Sequence, residues 1–171
     1  MQLSSMVLAM KDDGIRLRRE LHRIPETAFT EYKTQAFILG YLAPLKPDKL
    51  EKLAGTGVKA VFFSPMAKQT VAFRADMDAL PIEEWTEAPY ASEHPGKMHA
   101  CGHDGHMAVA LMLASIVSVN RNSLSYNVVL LFQPGEEGGA GARKMIADGA
   151  LREPAVERIY ALHLWPGLKH G

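Results

Sequence analysis

The sequence predicts an α/β domain of three layers, with helices on both faces of a largely parallel sheet. Two observations predict it. Short β-branched or apolar runs alternate with longer segments of helical periodicity. Several of the apolar runs also end in polar side chains of the kind that bind ligands, as strands do where an open α/β sheet forms a crevice at their carboxyl ends. The chain has 171 residues, 47% hydrophobic and 22% charged, ordinary values for a globular chain with a sizeable core.

From Asp12 to Arg23, Ile15, Leu17, Leu21 and Ile24 recur among Arg and Glu, which predicts an amphipathic helix ended by Pro25. Thr30 is placed to cap a second helix through Leu42, stopped by Pro44. Leu50 to Leu53 reads as a short strand and Gly55-Thr56-Gly57 as a turn. Val58 to Phe63 and Thr70 to Arg74 read as strands around a Ser64-Pro65 turn. Residues 76 to 98 read as a long loop, a length that is usually functional or mobile. Met107 to Val119 is apolar almost all round, hence a buried helix. Asn127 to Phe132 has the unbroken apolar character of a central strand. Gly138 to Gly149 reads as a helix and Arg158 to Leu164 as a last strand.

Charge and cysteine content narrow the function classes. Nineteen basic residues balance nineteen acidic ones, which argues against a nucleic-acid binder with a broad basic surface or a polybasic membrane-surface protein. The single cysteine, Cys101, allows no disulfide within the chain. Met1 to Met10 lacks a basic segment and runs into Lys11-Asp12-Asp13, so no signal peptide is expected and the cytoplasm is the expected compartment.

The chemistry concentrates in four segments. His94, His99, His103 and His106 fall within thirteen residues, with Cys101 among them; imidazole and thiolate are the ligands of zinc and related divalent metals. Glu136 and Glu137 follow the buried strand in Gln133-Pro134-Gly135-Glu136-Glu137-Gly138. Adjacent carboxylates repel unless a proton or cation lies between them, so one of the two can ligate a metal while the other serves as general base. The same pair also suits a solvated acidic turn. Asp76 and Asp78 can ligate metal, orient a ligating histidine or cap a turn. His163 ends the last strand before Leu164-Trp165-Pro166, while His22, His94 and His170 have no context of this kind. Gly55-Thr56-Gly57-Val58-Lys59-Ala60 matches a dinucleotide string but leads into a strand. Gly139-Ala140-Gly141 opens a helix and suits either an anion or close packing.

These residues, taken together, resemble the M20 family of metallopeptidases, in particular its amidohydrolase branch of hippurate hydrolases, N-acyl-amino-acid amidohydrolases and auxin-conjugate hydrolases. The stretches that carry the resemblance are Arg19-Glu20-Leu21-His22-Arg23-Ile24-Pro25-Glu26, Arg74-Ala75-Asp76-Met77-Asp78-Ala79-Leu80-Pro81, Met98-His99-Ala100-Cys101-Gly102-His103-Asp104-Gly105-His106, Phe132-Gln133-Pro134-Gly135-Glu136-Glu137-Gly138 and Ala161-Leu162-His163-Leu164-Trp165-Pro166. They occur in the family's order and span nearly the whole chain.

The resemblance implies a zinc-peptidase-like αβα domain with a mixed, largely parallel sheet, incomplete at its C-terminus. It further implies that residues 1–171 are the N-terminal portion of the catalytic domain, without the inserted lid or dimerisation domain and the second half that brings a further histidine ligand. An exposed sheet edge and an uncovered apolar face are then expected. By the same resemblance, two divalent ions, Mn or Zn first and Co or Ni next, are implied, with Cys101, His103, Glu137 and His163 as ligands. Glu136 is implied as general base and Asp78 as a supporting carboxylate, with Asp76 in the same motif and His106 structural. The implied reaction is hydrolysis of N-acyl amino acids or peptides to a carboxylic acid and a free amino acid, homo-oligomers being possible. A non-catalytic metal-binding or interaction fragment, and a thiol hydrolase using Cys101 with His103 or His163, are the competing readings.

Overall fold

Residues 5–168 are described by the computed structural model; His170 lies outside them. The helices are α1 (Ser5–Ala9), α2 (Lys11–His22), α3 (Tyr32–Leu42), α4 (His103–Asn120) and α5 (Gly141–Ala147). The strands are β1 (Lys49–Leu53), β2 (Gly57–Phe62), β3 (Gln69–Asp76), β4 (Tyr126–Gln133) and β5 (Arg158–Ala161).

The five strands form one sheet in the order β1-β2-β4-β3-β5. β4 runs parallel to β3, and β3 parallel to β5, whereas β1 with β2 and β2 with β4 are antiparallel. The sheet is therefore mixed, and its parallel part is confined to β4-β3-β5. β4 also separates β2 from β3, so the Ser64-Pro65 turn does not join neighbouring strands. Ser64 instead donates through Oγ to the Leu124 carbonyl at 2.6 Å.

β4 explains the three layers. Val128, Leu130 and Phe132 face one side and pack with Leu17, Leu21, Ile38, Leu42, Met107 and Leu111 from α2, α3 and α4. Val129 and Leu131 face the other side with Val61, Ala72, Met145 and Ala150. Both faces of this strand are covered, as its unbroken apolar run requires. On the second face the side chain of Lys59 is buried, and its ammonium donates to the carbonyls of Arg152 (2.6 Å) and Gly149 (3.3 Å). All four residues of β5 are exposed, as expected for an edge strand without cover.

Helix starts depart most from the expectation. α3 begins after Glu31, and the Thr30 hydroxyl donates to the Thr27 carbonyl instead of capping. The capping carboxylate comes from Glu26, which accepts from the Lys33 amide (3.2 Å) and from the Thr34 amide (2.9 Å) and hydroxyl (3.0 Å); free N–H groups of a first turn favour such an anion. α4 begins four residues earlier than the apolar run, which brings His103 and His106 into its first turn. α5 is shorter than 138–149 because Gly138 and Ala140 at its start and Gly149 past its end have positive φ. Residues 77–102 contain only the Leu80–Met98 bridge, yet they are tied to the α2–α3 connection. The Ala79 amide donates to the Glu26 carbonyl (2.8 Å), Arg23 donates to the Pro89 carbonyl (2.8 Å), and His94 donates through Nδ1 to the Pro25 carbonyl (2.7 Å).

Two glycines give opposite expectations. A Cβ at Gly141 would lie 1.6 Å from the Pro134 carbonyl oxygen, a backbone atom that cannot turn away. Gly40 is exposed on α3, with nothing within 4 Å of such a Cβ. Gly141→Ala is expected to cost about 1–3 kcal/mol. Gly40→Ala is expected to add about 1 kcal/mol from helix propensity, a rise of about 2–4 °C in Tm. Thermal melts of both variants check the pair.

Candidate metal centre

Because β3, β4 and β5 are parallel, their carboxyl ends lie on one side of the sheet. Asp76 and Asp78 leave β3, Glu136 and Glu137 follow β4, and His163 follows β5. The first turn of α4 lies against the same end and supplies His103. All four segments singled out in the sequence therefore converge.

His103 is the centre of the group and is fully buried. Its Nδ1 lies 2.8 Å from the carbonyl oxygen of Asp78 and 3.6 Å from that residue's carboxylate, so the carbonyl takes the ring N–H. This leaves Nε2 facing the site. Nε2 lies 3.6 Å from Asp76 Oδ2, 3.8 Å from Glu137 Oε1 and 3.9 Å from Glu136 Oε2. Cys101 Sγ lies 3.5 Å from His163 Nε2. The donor atoms of Cys101, His103 and His163 are within 4.8 Å of one another, as are those of His103, Glu136 and Glu137.

The Asp78 carboxylate acts on the acidic turn. One oxygen accepts the Glu136 amide and the other the Glu137 amide, each at 2.9 Å. Burial pushes this carboxyl up, but His103 and the two amides outweigh it and hold its pKa below the usual carboxylate range. For Asp76, burial is likewise outweighed by the bond to His106 and by the charges of His103 and Arg74.

The residues fit a divalent cation. Among the described residues, His103 Nε2 and Glu137 Oε1 are both buried and both without a hydrogen-bond partner. Their separation is too long for a hydrogen bond, and a cation between them would satisfy both atoms. The surroundings also attract positive charge. Burial lowers the His103 pKa, but Asp78 and Asp76 outweigh it and raise it above the ordinary value. Burial, then Glu137, Glu136 and Asp76, push the Cys101 thiol up to about 11. That is the opposite of the electropositive setting of a nucleophilic cysteine, while a coordinated metal removes the thiol proton outright.

Of the buried groups around the site, Glu31 gave no signal in the sequence, His22 and Asp104 stood only within longer motif stretches, and His99 stood in the histidine cluster. Glu31 is fully buried; it accepts from Thr56 Oγ1 at 2.5 Å and from the Gly135 amide at 3.0 Å. With Asp78, it makes carboxylates the acceptors of three successive amides, at 135, 136 and 137. Asp104, next to His103, is buried against Arg18 (2.7 Å) and His22 (2.6 Å), and the other ring nitrogen of His22 meets Glu84 at 3.2 Å. Among the described residues, His99 is buried with both ring nitrogens unpartnered, and burial pushes its pKa down to about 4. A buried carboxylate has no hydropathy signature, and only spacing to a partner far along the chain would reveal one.

The profile of peptidase family M20/M25/M40 matches residues 72–171, more than half of the chain. The chain belongs to this family. Among curated relatives, the M20 chain is 43% identical over 164 residues to an N-acetyldiaminopimelate deacetylase of Listeria monocytogenes, covering 95% of the chain and 43% of the relative. It is 44% identical over 162 residues to a protein of the same name from Streptococcus uberis, covering 93% and 43%. A solved structure of a dinuclear metal-binding M20 peptidase from Bacillus subtilis superimposes with a TM-score of 0.87 at 38% identity, over 94% of the M20 chain and 45% of that protein. Human carnosine dipeptidase 1 shares the fold at a TM-score of 0.70 and 18% identity, over 94% and 40%. The M20 chain thus spans less than half the length of these relatives.

His22 gives a pH prediction. Carboxylates face both of its ring nitrogens, so both nitrogens donate and the ring is an imidazolium. Burial lowers its pKa, but Asp104 and Glu84 outweigh this and raise it above 6.5. The stability it contributes is present below about pH 6.5 and is lost as pH rises through the raised value. The penalty of His22→Phe is expected to shrink between about pH 6 and about pH 9, read from urea midpoints of both proteins. A penalty independent of pH contradicts the imidazolium.

Proposed function

We propose that the M20 chain is the N-terminal part of a metal-dependent amidohydrolase. This enzyme cleaves N-acyl amino acids to a carboxylic acid and a free amino acid. The observation that carries the proposal is the pair of orphaned buried donors, His103 Nε2 and Glu137 Oε1, beside Cys101, His163 and Glu136. The deacetylase names of the curated relatives support the substrate class, and the dinuclear structure from Bacillus subtilis supports two ions.

Cys101, His103, Glu137 and His163 would hold the two ions, and their mixed S, N and O set suits Zn or Mn, with Co and Ni also compatible. When bound, the ions supply Lewis acidity toward water and the amide carbonyl. The two glutamates divide the remaining work by environment. Glu137 is the less exposed, and its buried oxygen faces His103 Nε2; the Glu136 side chain is 40% exposed and its amide is fixed by Asp78. This supports Glu137 as the ligand and Glu136 as the base. Glu136 takes a proton from the attacking water and delivers it to the leaving nitrogen, so its carboxylate is regenerated in each turnover.

Asp78 keeps the Glu136 carboxylate in register with His103, since it holds both from one residue. Exposure of β5 and of His163 leaves room for the other reading, a metal-binding fragment that needs a further segment for turnover. The thiol-hydrolase reading loses support from the raised Cys101 thiol and leaves the glutamate pair without work. The cytoplasm and a homo-oligomer remain part of the proposal; among the described residues, no helix is long and apolar enough to cross a membrane.

The test uses the full-length protein with N-acetyl and N-benzoyl amino acids. Dialysis against a chelator is expected to abolish turnover, and Mn²⁺ or Zn²⁺ to restore it. Turnover that resists chelation contradicts the mechanism. Glu136→Gln is expected to lower kcat by about 100- to 10,000-fold with metal content unchanged, whereas Glu137→Gln lowers metal content itself.

A further inference from the structure

The His163 ligand sits on a segment with little to hold it. β5 is exposed, and His163, Leu164, Trp165 and Leu168 beyond it are exposed as well. Among the described residues, two hydrogen bonds tie residues 162–168 to the rest of the protein. One is the Cys101–His163 contact between two proposed ligands. The other runs from the Leu164 amide to His106 Nε2, at 2.9 Å.

The chemistry of that second bond fixes the His106 tautomer. A backbone amide only donates, so Nε2 is an unprotonated acceptor and Nδ1 carries the proton. Nδ1 donates to Asp76 Oδ1 at 2.6 Å, and the other oxygen of Asp76 accepts from Arg74 at 2.7 Å. Both nitrogens of His106 are thus committed, and the ring is buried. This rules it out as a metal ligand in this arrangement, although it lies near Asp76 and His103. The Leu164 carbonyl in turn accepts from His163 Nδ1 at 2.7 Å, which aims His163 Nε2 at Cys101. The His163 ring also packs on the His106 ring with centroids 4.7 Å apart.

The Leu164 side chain completes the seat. A Cβ at Gly105 would lie 2.7 Å from Leu164 Cδ1, and one at Gly102 would lie 3.3 Å from it. The leucine therefore rests on the bare backbone at the start of α4, one residue from the histidine that takes its amide.

We infer that His106 is a positioning residue for metal binding: it accepts the Leu164 amide, with Leu164 seated on Gly105, and so sets His163 opposite Cys101. The first turn of α4 then does two things, supplying His103 directly and fixing the ligand that arrives from β5. The inference rests on the proposed metal site and goes beyond it by assigning a role to a residue that ligates nothing.

The experiment measures Zn²⁺ affinity of the full-length protein by competition with a chromophoric chelator. Thermal melts in excess EDTA report the fold without metal. Groups that orient a metal ligand typically contribute 10- to 100-fold in affinity. His106→Leu is expected to weaken Zn²⁺ binding by about that factor, and His106→Gln, which keeps an acceptor, to recover part of it. Wild-type affinity in a folded His106→Leu protein overturns the inference while leaving the metal site intact. A wild-type protein that binds no Zn²⁺ overturns the proposed function and this inference together. Should His106→Leu fail to fold, Leu164→Ala carries the test. It alters a half-exposed side chain, and affinity unchanged from wild type in that variant overturns the inference.

Discussion

Asp78 holds two separate parts of the chain through three acceptors. Its carboxylate oxygens take the amides of Glu136 and Glu137, and its carbonyl takes the Nδ1 proton of His103. Breaking this bracket would free the acidic turn and let the imidazole rotate, and Nε2 would no longer face Glu137. The sequence left Asp78 free to ligate metal, orient a histidine or cap a turn; its main-chain oxygen holds the imidazole, and its carboxylate holds the turn. Lone pairs left over on a buried carboxylate are costly; here each oxygen has an amide.

The bracket works because of where the sheet places its ends. β3 and β4 run parallel in register, with Asp76 beside Gln133, so residues just past each strand come side by side. Glu31 braces the same turn from the α3 side through the Gly135 amide. Close contact of Gly141 with the Pro134 carbonyl fixes the return of the chain into α5. A turn carrying two like charges is thus held by its backbone, leaving the Glu136 and Glu137 side chains pointed at His103. A cation at that point would relieve their mutual repulsion.

What was legible in the sequence was what carries local chemistry. Cys101 and His103 share one loop, Glu136 and Glu137 are adjacent, and Asp76 and Asp78 close an apolar run; ligand types at short spacing can be read directly. The helices and strands follow periodicity, and β4 follows its unbroken apolar run. The sheet order was not legible, because nothing in β2 or β3 states that β4 inserts between them. Nor was the capping of α3 by Glu26, since Thr30 offers the better local cap and loses to a carboxylate positioned by the tertiary fold. His106 shows the same limit: its partners, Asp76 and the Leu164 amide, lie 30 and 58 residues away, so its place in the motif carried no sign of its task.

The proposed function puts a divalent cation against His103 Nε2 and the groups around it. Anomalous X-ray diffraction at the zinc edge, from crystals of the full-length protein grown with Zn²⁺, tests it most directly. An anomalous peak within bonding distance of His103 Nε2 and flanked by Cys101, Glu137 or His163 is expected. Well-diffracting crystals with zinc bound only elsewhere, and no peak at His103 Nε2, would contradict it.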